Sequence, residues 1–448
     1  MSESLQLAEF ASGLRFDQLP APVIVQARSA LLNYLACAIS GAHEDVVERA
    51  RRALLPYAGK GDVTLVSRQW PCDAITASFL NCLASTVQTF DETHARTVVH
   101  PVGPVASAVL AIGEERHASG ELVLAGLIAG IEVASRASLA ISAPPARGHV
   151  GWSQSGVCGA MGAAAGVARV LQLDSRTTVH AMGLGANAAA GLRAMNGTPA
   201  VTTAVSQAAS NGVRAALLAA EGIGAGQSVL EDEYGFVALF SQEAYLPHLT
   251  EGLGHNYAVS ELNFKPYPCG VVAFAAIDAA STLRAQNSWE VAEIQSVTVA
   301  VNSACTALGD RAQVNSPAQA SVSIQFWVAA ALSQSSLGTG CLDPEFILDP
   351  RQQELMGRVR LIADDGLSRD AARMTLLLSS GRELTANVDA CLGSQGHPVG
   401  LADIERKFHA AARGASLAAS AEQIRTGCAE FESLRDISAF TRMLRGKE

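Results

Sequence analysis

The chain has 448 residues, 49% hydrophobic and 17% charged, a balance that excludes a disordered polypeptide and supplies apolar surface for two or three domains. A formal net charge of -10, with 32 Lys and Arg dispersed along the chain, disfavours nucleic acid, because a phosphate backbone is bound by a basic stripe. Nine cysteines without a C-x-x-C pair point away from a disulfide framework and from a zinc or iron–sulfur site, so no metal is expected.

The first residues, MSESLQLAEF, carry Glu3 and Glu9 where a signal peptide carries a basic region, so the expected location is cytoplasmic. Apolar content then comes mostly from Ala, Leu and Val at helical spacing, broken by Gly, Pro and Ser. This predicts helices over 22–42, 74–89, 102–115, 120–142 and 203–222. Two charge-free stretches, 148–168 and 194–213, raise the question of a membrane span. Both are rich in Gly and Ala and carry helix-breaking or polar residues such as Gln154, Asn196, Pro199 and Gln207, so they read as buried core segments and no membrane partner is expected. After KPYPCG (265–270) the texture changes, with strands predicted over 294–302, 358–363 and 373–378 and helices over 271–285 and 318–333. The turn Ser379–Ser380–Gly381 reads as a hairpin connection to 383–388. From about Pro398 the chain is helical again, and 401–446 is expected to pack back on the first block. The resulting fold class is mainly α: a large all-helical domain from residues 1–262 and 397–448, and a smaller α+β domain from residues 263–396.

Reactive side chains are densest in FDETHARTVVHP, residues 90–101, which places Asp91, Glu92, Thr93, His94, Arg96, Thr97 and His100 between two apolar helices. Histidine titrates near neutrality and can act as a general base, and Arg96 offers a fork for a carboxylate. The same residues also fit a solvated, hydrogen-bonded loop with His100 as a turn residue before Pro101. In NFKPYPCG, residues 263–270, prolines fix the backbone around Lys265 and Tyr267. That suits a pocket wall at the domain junction and equally a rigid linker with a snorkelling lysine. The glycines of RGHVGWSQSGVCGAMGAAAG, residues 147–166, do not form a nucleotide loop, since no strand precedes them and no phosphate-loop lysine is present. They recur at the spacing of closely packed helices. The segment reads as a buried helix whose N-terminal end, at Trp152, Ser153 and Gln154, offers free amides to a carboxylate. Arg193 and Asn196 in GANAAAGLRAMNG are similar candidates, while Asn187 reads as a cap or turn residue.

Taken in order, LAEFASGLRFDQLP, LLNYLACAISG, FDETHARTVVHP, GAMGAAAGVARVLQLD, AASNGVRAALLAAEGIGA, KPYPCG, NSPAQASVSIQF and GLADIERKF resemble the MmgE/PrpD family over nearly the whole chain. The resemblance implies an all-helical domain formed from both chain ends, an α+β lid domain, and an active site in the cleft between them. It also implies cofactor-free chemistry on a small-molecule di- or polycarboxylate substrate, usually as a homodimer. Activities in the family include 2-methylcitrate dehydratase, cis-aconitate decarboxylase and iminodisuccinate epimerase. Carried over residue by residue, Asp91, Thr93 and His100 fall on the family's polar cleft positions, and Lys265 on its junction lysine.

Three positions depart from the pattern. Ser153 stands where family dehydratases and decarboxylases tend to have a histidine after Gly–Trp, residues 199–205 lack a lysine expected before the next helix, and Phe274 stands where a histidine follows KPYPC. A lesser difference is Thr89, where some decarboxylases carry an aspartate. Fewer acid and base groups suit epimerisation better than elimination or decarboxylation, because one group takes an α-proton, another returns it, and no leaving group needs protonation. The expected activity is therefore that of a cofactor-independent epimerase, an isomerase with iminodisuccinate as leading substrate. A methylcitrate-type dehydratase (a hydro-lyase) or related decarboxylase is the alternative, and an inactive polycarboxylate-binding member the second. In this reading His100 transfers one proton, Asp91 orients it, Lys265 stabilises negative charge, and Tyr267 or His149 serves the opposite face. Thr93, His94, Arg96, Trp152, Ser153, Gln154, Arg193 and Asn196 are expected to bind substrate.

Overall fold

The computed structural model of the chain describes residues 2–149, 151–415 and 417–446. Its buried apolar side chains gather into two large cores, one drawn from residues 7–264 together with 404–444, the other from residues 269–391. The first is helical, with Ala21–Gly41, Ala74–Thr86, Val102–Glu115, Gly120–Ser142, Gln154–Val170, Ser175–Asn187 and Ala200–Ala220 as its main members. Their starts are set by short polar side chains. Asp73 accepts the amides of Ile75 and Thr76, Ser119 that of Leu122, and Asp174 that of Thr177, satisfying donors that the helix itself leaves unpaired. Ala21–Gly41 and Gly120–Ser142 are long and apolar enough to cross a membrane, but 72% and 94% of their apolar windows are buried inside the protein, as in core helices. Helix Leu401–Gly414 returns from the far end of the chain to lie along Ala21–Gly41.

The second core surrounds a four-stranded sheet in the order Val359–Ala363, Ile294–Val301, Ala372–Leu378, Glu383–Val388. The first pair is parallel and the other two are antiparallel. Ala372, Met374, Leu376 and Leu378 alternate inward, as one buried sheet face requires, and pack on helix Phe274–Gln286, which in turn covers Ile324–Ser333. Gly381, at φ 85, makes the hairpin turn that the sequence predicts.

Three expected elements differ. The helix expected over 318–333 is broken into Pro317–Ala320 and Ile324–Ser333, the second capped by Ser323, whose side chain accepts the Phe326 amide. The helix expected over 74–89 ends at Thr86, and Thr89 takes φ 53, a left-handed conformation through which no α-helix continues. Residues 90–101, expected as a loop, contain the strand Glu92–His94, paired antiparallel with Leu262–Phe264. All three of its residues are buried, and buried backbone groups need partners that a solvated loop would have taken from water.

Helices Gly120–Ser142 and Gln154–Val170 touch backbone to backbone. A methyl group on Gly130 would stand 2.6 Å from the Gly162 carbonyl oxygen, and one on Gly162 would stand 2.6 Å from the Gly130 carbonyl oxygen. This reciprocal contact sets the separation of the two helices, the second of which carries Ser155 in its first turn. Gly130→Ala has to push the helices apart, and overpacking of this kind costs about 1–3 kcal/mol. Urea denaturation should show a lower midpoint with an unchanged slope, whereas an unchanged midpoint would mean that the helices have room to slide.

Candidate active site

The strand pair brings two distant motifs together. Its register sets Glu92 opposite Phe264, so Asp91 and Lys265 follow side by side, and the Lys265 amide donates to the Asp91 carbonyl at 3.3 Å. Their side chains then meet, with Lys265 Nζ 2.5 Å from Asp91 Oδ1 and 3.3 Å from the Thr89 carbonyl oxygen. Lys265 is 3% exposed and Asp91 7%, so the pair is nearly dry. The other Asp91 oxygen lies 3.6 Å from His100 Nδ1. That nitrogen also contacts the Glu92 carbonyl oxygen and lies 3.3 Å from Thr93 Oγ1. A carbonyl can only accept, so the neutral imidazole carries its proton on Nδ1 and presents Nε2 as the basic atom. The His100 amide donates to Ser155 Oγ at 2.9 Å, tying the imidazole to the first turn of Gln154–Val170.

Burial opposes the charge on Asp91, but Lys265 and His100 together outweigh it and hold the carboxyl below its ordinary range. Burial lowers the His100 pKa below 6.5, with Asp91 opposing the shift and Lys265 adding to it. The cluster therefore rests as an ionised aspartate, a lysine and a neutral histidine.

A cavity of about 670 Å³ adjoins the cluster, bounded by helices Ala21–Gly41 and Leu401–Gly414 and by residues 336–339 of the second domain. Lys265, Tyr267 and Phe90 contribute to its lining, as do Asn33, Gln88 and Lys407. Lys407 Nζ donates to Asn33 Oδ1 at 2.8 Å and to the Phe90 carbonyl, and stands 3.6 Å from the centre of the Phe90 ring, a cation–π contact. Sequence reasoning did not single out Lys407. The available signal was scarcity: only four of the 32 basic residues are lysines, and two of those, Lys265 and Lys407, line this cavity.

The remaining expected residues are placed as follows. Thr93 joins the imidazole as described. His94 is fully buried, with Nδ1 3.0 Å from Thr97 Oγ1 and Nε2 3.2 Å from Glu261 Oε2. In this position it holds the turn and exposes no surface. Arg96 is half exposed, 3.7 Å from Glu261. Tyr267 donates its hydroxyl to Asp278 at 2.7 Å, and burial first, then Asp278, raises its pKa. His149 is exposed and accepts the Gly151 amide at 3.0 Å. Trp152 packs edge-on against Phe240, the Ser153 amide donates to the Gly191 carbonyl, and Gln154 accepts the Ser138 hydroxyl at 2.5 Å. The Arg193 amide donates to the Gly151 carbonyl, and Asn196 is exposed just beyond it. The hydrogen bond from the His100 amide to Ser155 links this second group to the first.

Fold and cluster together describe a mainly helical protein with a smaller α+β part, in which Asp91, His100 and Lys265 meet between the two cores. Residues 5–247 match the MmgE/PrpD N-terminal domain and residues 267–430 the MmgE/PrpD C-terminal domain, and the chain belongs to the MmgE/PrpD family. It is similar to cis-aconitate decarboxylase of Aspergillus terreus, at 24% identity over 98% of this chain and 95% of the relative. It is similar to cis-aconitate decarboxylase of Mus musculus at 24% identity, over 97% of this chain and 91% of the relative. The cis-aconitate decarboxylase-like protein oryM of Aspergillus oryzae is 26% identical over a shorter region, 59% of this chain and 58% of its own length.

Glu92 adds an electrostatic element of its own. It is 1% exposed, and its Oε1 accepts the Val102 amide at 2.8 Å at the start of helix Val102–Glu115. Burial, reinforced by the neighbouring Asp91 charge, pushes its carboxyl up to about 7 from an ordinary 4.5. A carboxyl whose pKa is raised by folding contributes stability that is full below 4.5 and is lost as pH rises through 7. Gln keeps the acceptor for Val102 and cannot ionise. Glu92→Gln should therefore lose less stability than the parent between pH 4.5 and pH 8, read from urea midpoints. Parallel curves for the two proteins would refute the assignment.

Proposed function

We propose that the protein is a cofactor-independent lyase that decarboxylates a small unsaturated di- or tricarboxylate, with His100 as its one proton-transfer group. The observation that carries this reading is the state of the cluster. The Lys265 ammonium is bound to Asp91 and the Tyr267 hydroxyl to Asp278, while His100 has its tautomer set and Nε2 unengaged among the described residues. Decarboxylation of an unsaturated acid needs one proton. The bond from a methylene carbon to the departing carboxylate breaks and its electron pair forms a new double bond. The old double-bond pair moves to the carbon beside a remaining carboxylate, which takes a proton from protonated His100. The resemblance to proteins named cis-aconitate decarboxylase supports the same class.

Lys265 supplies positive charge where the intermediate is negative, and a substrate bearing several carboxylates favours protonation of the imidazole on binding. Epimerisation is the second reading, favoured by Ser153, Phe274 and the absence of lysine from residues 199–205. It needs proton carriers on both faces, and the two expected for the far face are a tyrosine bonded to Asp278 and an exposed His149.

With cis-aconitate in deuterium oxide, the lyase should release carbon dioxide and leave one deuterium in the product. His100→Gln should lower turnover by on the order of 10²-fold or more. Deuterium entering recovered substrate without carbon dioxide would replace this reading with the epimerase.

The pH profile gives an independent check. A histidine that must be protonated and whose pKa is held below 6.5 makes kcat/KM high on the acid side and falling as pH rises through an inflection below 6.5. A rising limb over the same range would mean that His100 acts as a base in the free enzyme.

A further inference from the structure

The cavity beside the cluster is not the space in front of the imidazole. Neither His100 nor Asp91 lines it, and the His100 nitrogen that faces Asp91 is Nδ1, which leaves Nε2 directed elsewhere. Inside it stands a cation without a counter-charge. Lys265 has Asp91, but Lys407 forms no ion pair within 4.0 Å among the described residues and meets the Asn33 amide oxygen, the Phe90 carbonyl, the Phe90 ring and the Cys37 thiol.

Two buried polar atoms of the same lining also lack partners among the described residues. They are Nδ2 of Asn33, a residue 1% exposed, and Oε1 of Gln88, a residue 8% exposed. Rotating either amide does not remove the vacancy without cost. Asn33 Oδ1 is held by Lys407 at 2.8 Å, and Gln88 Nε2 donates to Glu44 Oε1 at 2.7 Å. Buried donors and acceptors are seldom left unpaired, because each then loses its hydration with no return. The lining thus holds a cation and, buried behind its surface, an unpaired amide donor and an unpaired amide oxygen that a ligand reaches once those side chains turn outward. A carboxylate matches the first two, and the hydroxyl of a hydroxy acid matches the third.

We propose that this cavity is a second binding site, separate from the His100 face, which takes a small hydroxy-carboxylate through Lys407 Nζ and Asn33 Nδ2, with its hydroxyl on Gln88 Oε1. The site stands independently of the lyase reading, since occupancy is measured by binding and decarboxylation by carbon dioxide release. Its occupant touches the machinery from behind. Lys407 holds the Phe90 carbonyl one residue before Asp91, and Lys265 belongs to both the cavity and the cluster.

Equilibrium binding of citrate to the full chain tests this. Lys407→Met removes the cation at nearly constant volume. Asn33→Asp preserves an oxygen for Lys407 but turns the donor into a second negative oxygen. Each should weaken citrate by on the order of 10-fold or more, while His100→Gln leaves that binding unchanged. Propane-1,2,3-tricarboxylate, the same acid without the hydroxyl, should bind more weakly than citrate. Citrate held at the His100 face would appear as a second site that Lys407→Met leaves intact. Melting temperatures establish that the variants are folded, and should Lys407→Met fail to fold, Asn33→Asp decides. Wild-type affinity in the folded variants overturns the proposal. So does loss of citrate only in His100→Gln, or no binding to the wild type at millimolar citrate. Equal affinity for the two acids overturns the role of Gln88.

Discussion

The ion pair between Lys265 and Asp91 joins residues 174 apart in sequence, at the seam where one core ends near Phe264 and the other begins at Cys269. An ammonium group this deeply buried is costly unless a counter-charge and further acceptors stand close, and here Asp91 Oδ1 and the Thr89 carbonyl do so. The pair in turn requires strand Glu92–His94 to lie in register with Leu262–Phe264, because a slip would draw the two side chains apart. Asp91 then has one oxygen left, which faces the imidazole. Domain-junction geometry and histidine orientation thus rest on the same carboxylate.

This dependence explains which parts of the architecture were legible in the sequence. Helices 102–115 and 120–142 announce themselves by long apolar periodicity, and the strands of the second domain by alternation bounded by turn residues. Strand Glu92–His94 has no such signal. Three polar or charged residues become a strand because a partner segment about 170 positions away pairs with them, and no local pattern encodes that partner. Asp91, Thr93, His100 and Lys265 stand out as a polar-dense segment and a Pro-flanked lysine, but their meeting is a tertiary fact.

His94 and Lys407 show the converse. A histidine in a polar run reads as a ligand contact, yet His94 sets Nδ1 on Thr97 and holds Nε2 3.2 Å from Glu261 inside the protein. Lys407 in the stretch DIERKF, flanked by Glu405, Arg406 and Phe408, carries no local mark of a cavity residue, yet it turns inward onto Phe90. In both cases the composition of the neighbourhood misleads, because the deciding contact comes from another segment.

Three successive residues show how these contacts combine. Thr89 is β-branched and sits at φ 53, a conformation costing of order 1–3 kcal/mol that persists only where its surroundings over-determine it. Its amide donates to the Thr86 carbonyl at 3.0 Å and its carbonyl accepts from Lys265. The Phe90 carbonyl accepts from Lys407, and the Asp91 carboxylate accepts from Lys265 again. Two ammonium groups therefore brace three consecutive residues, and lysine suits this task where arginine does not. A compact ammonium can sit over a ring and aim at single oxygens, whereas a planar guanidinium fork matches paired acceptors that this backbone turn does not present. In a chain whose other cations are almost all arginine, lysine stands at the two positions where a point charge fits the backbone of residues 89–91.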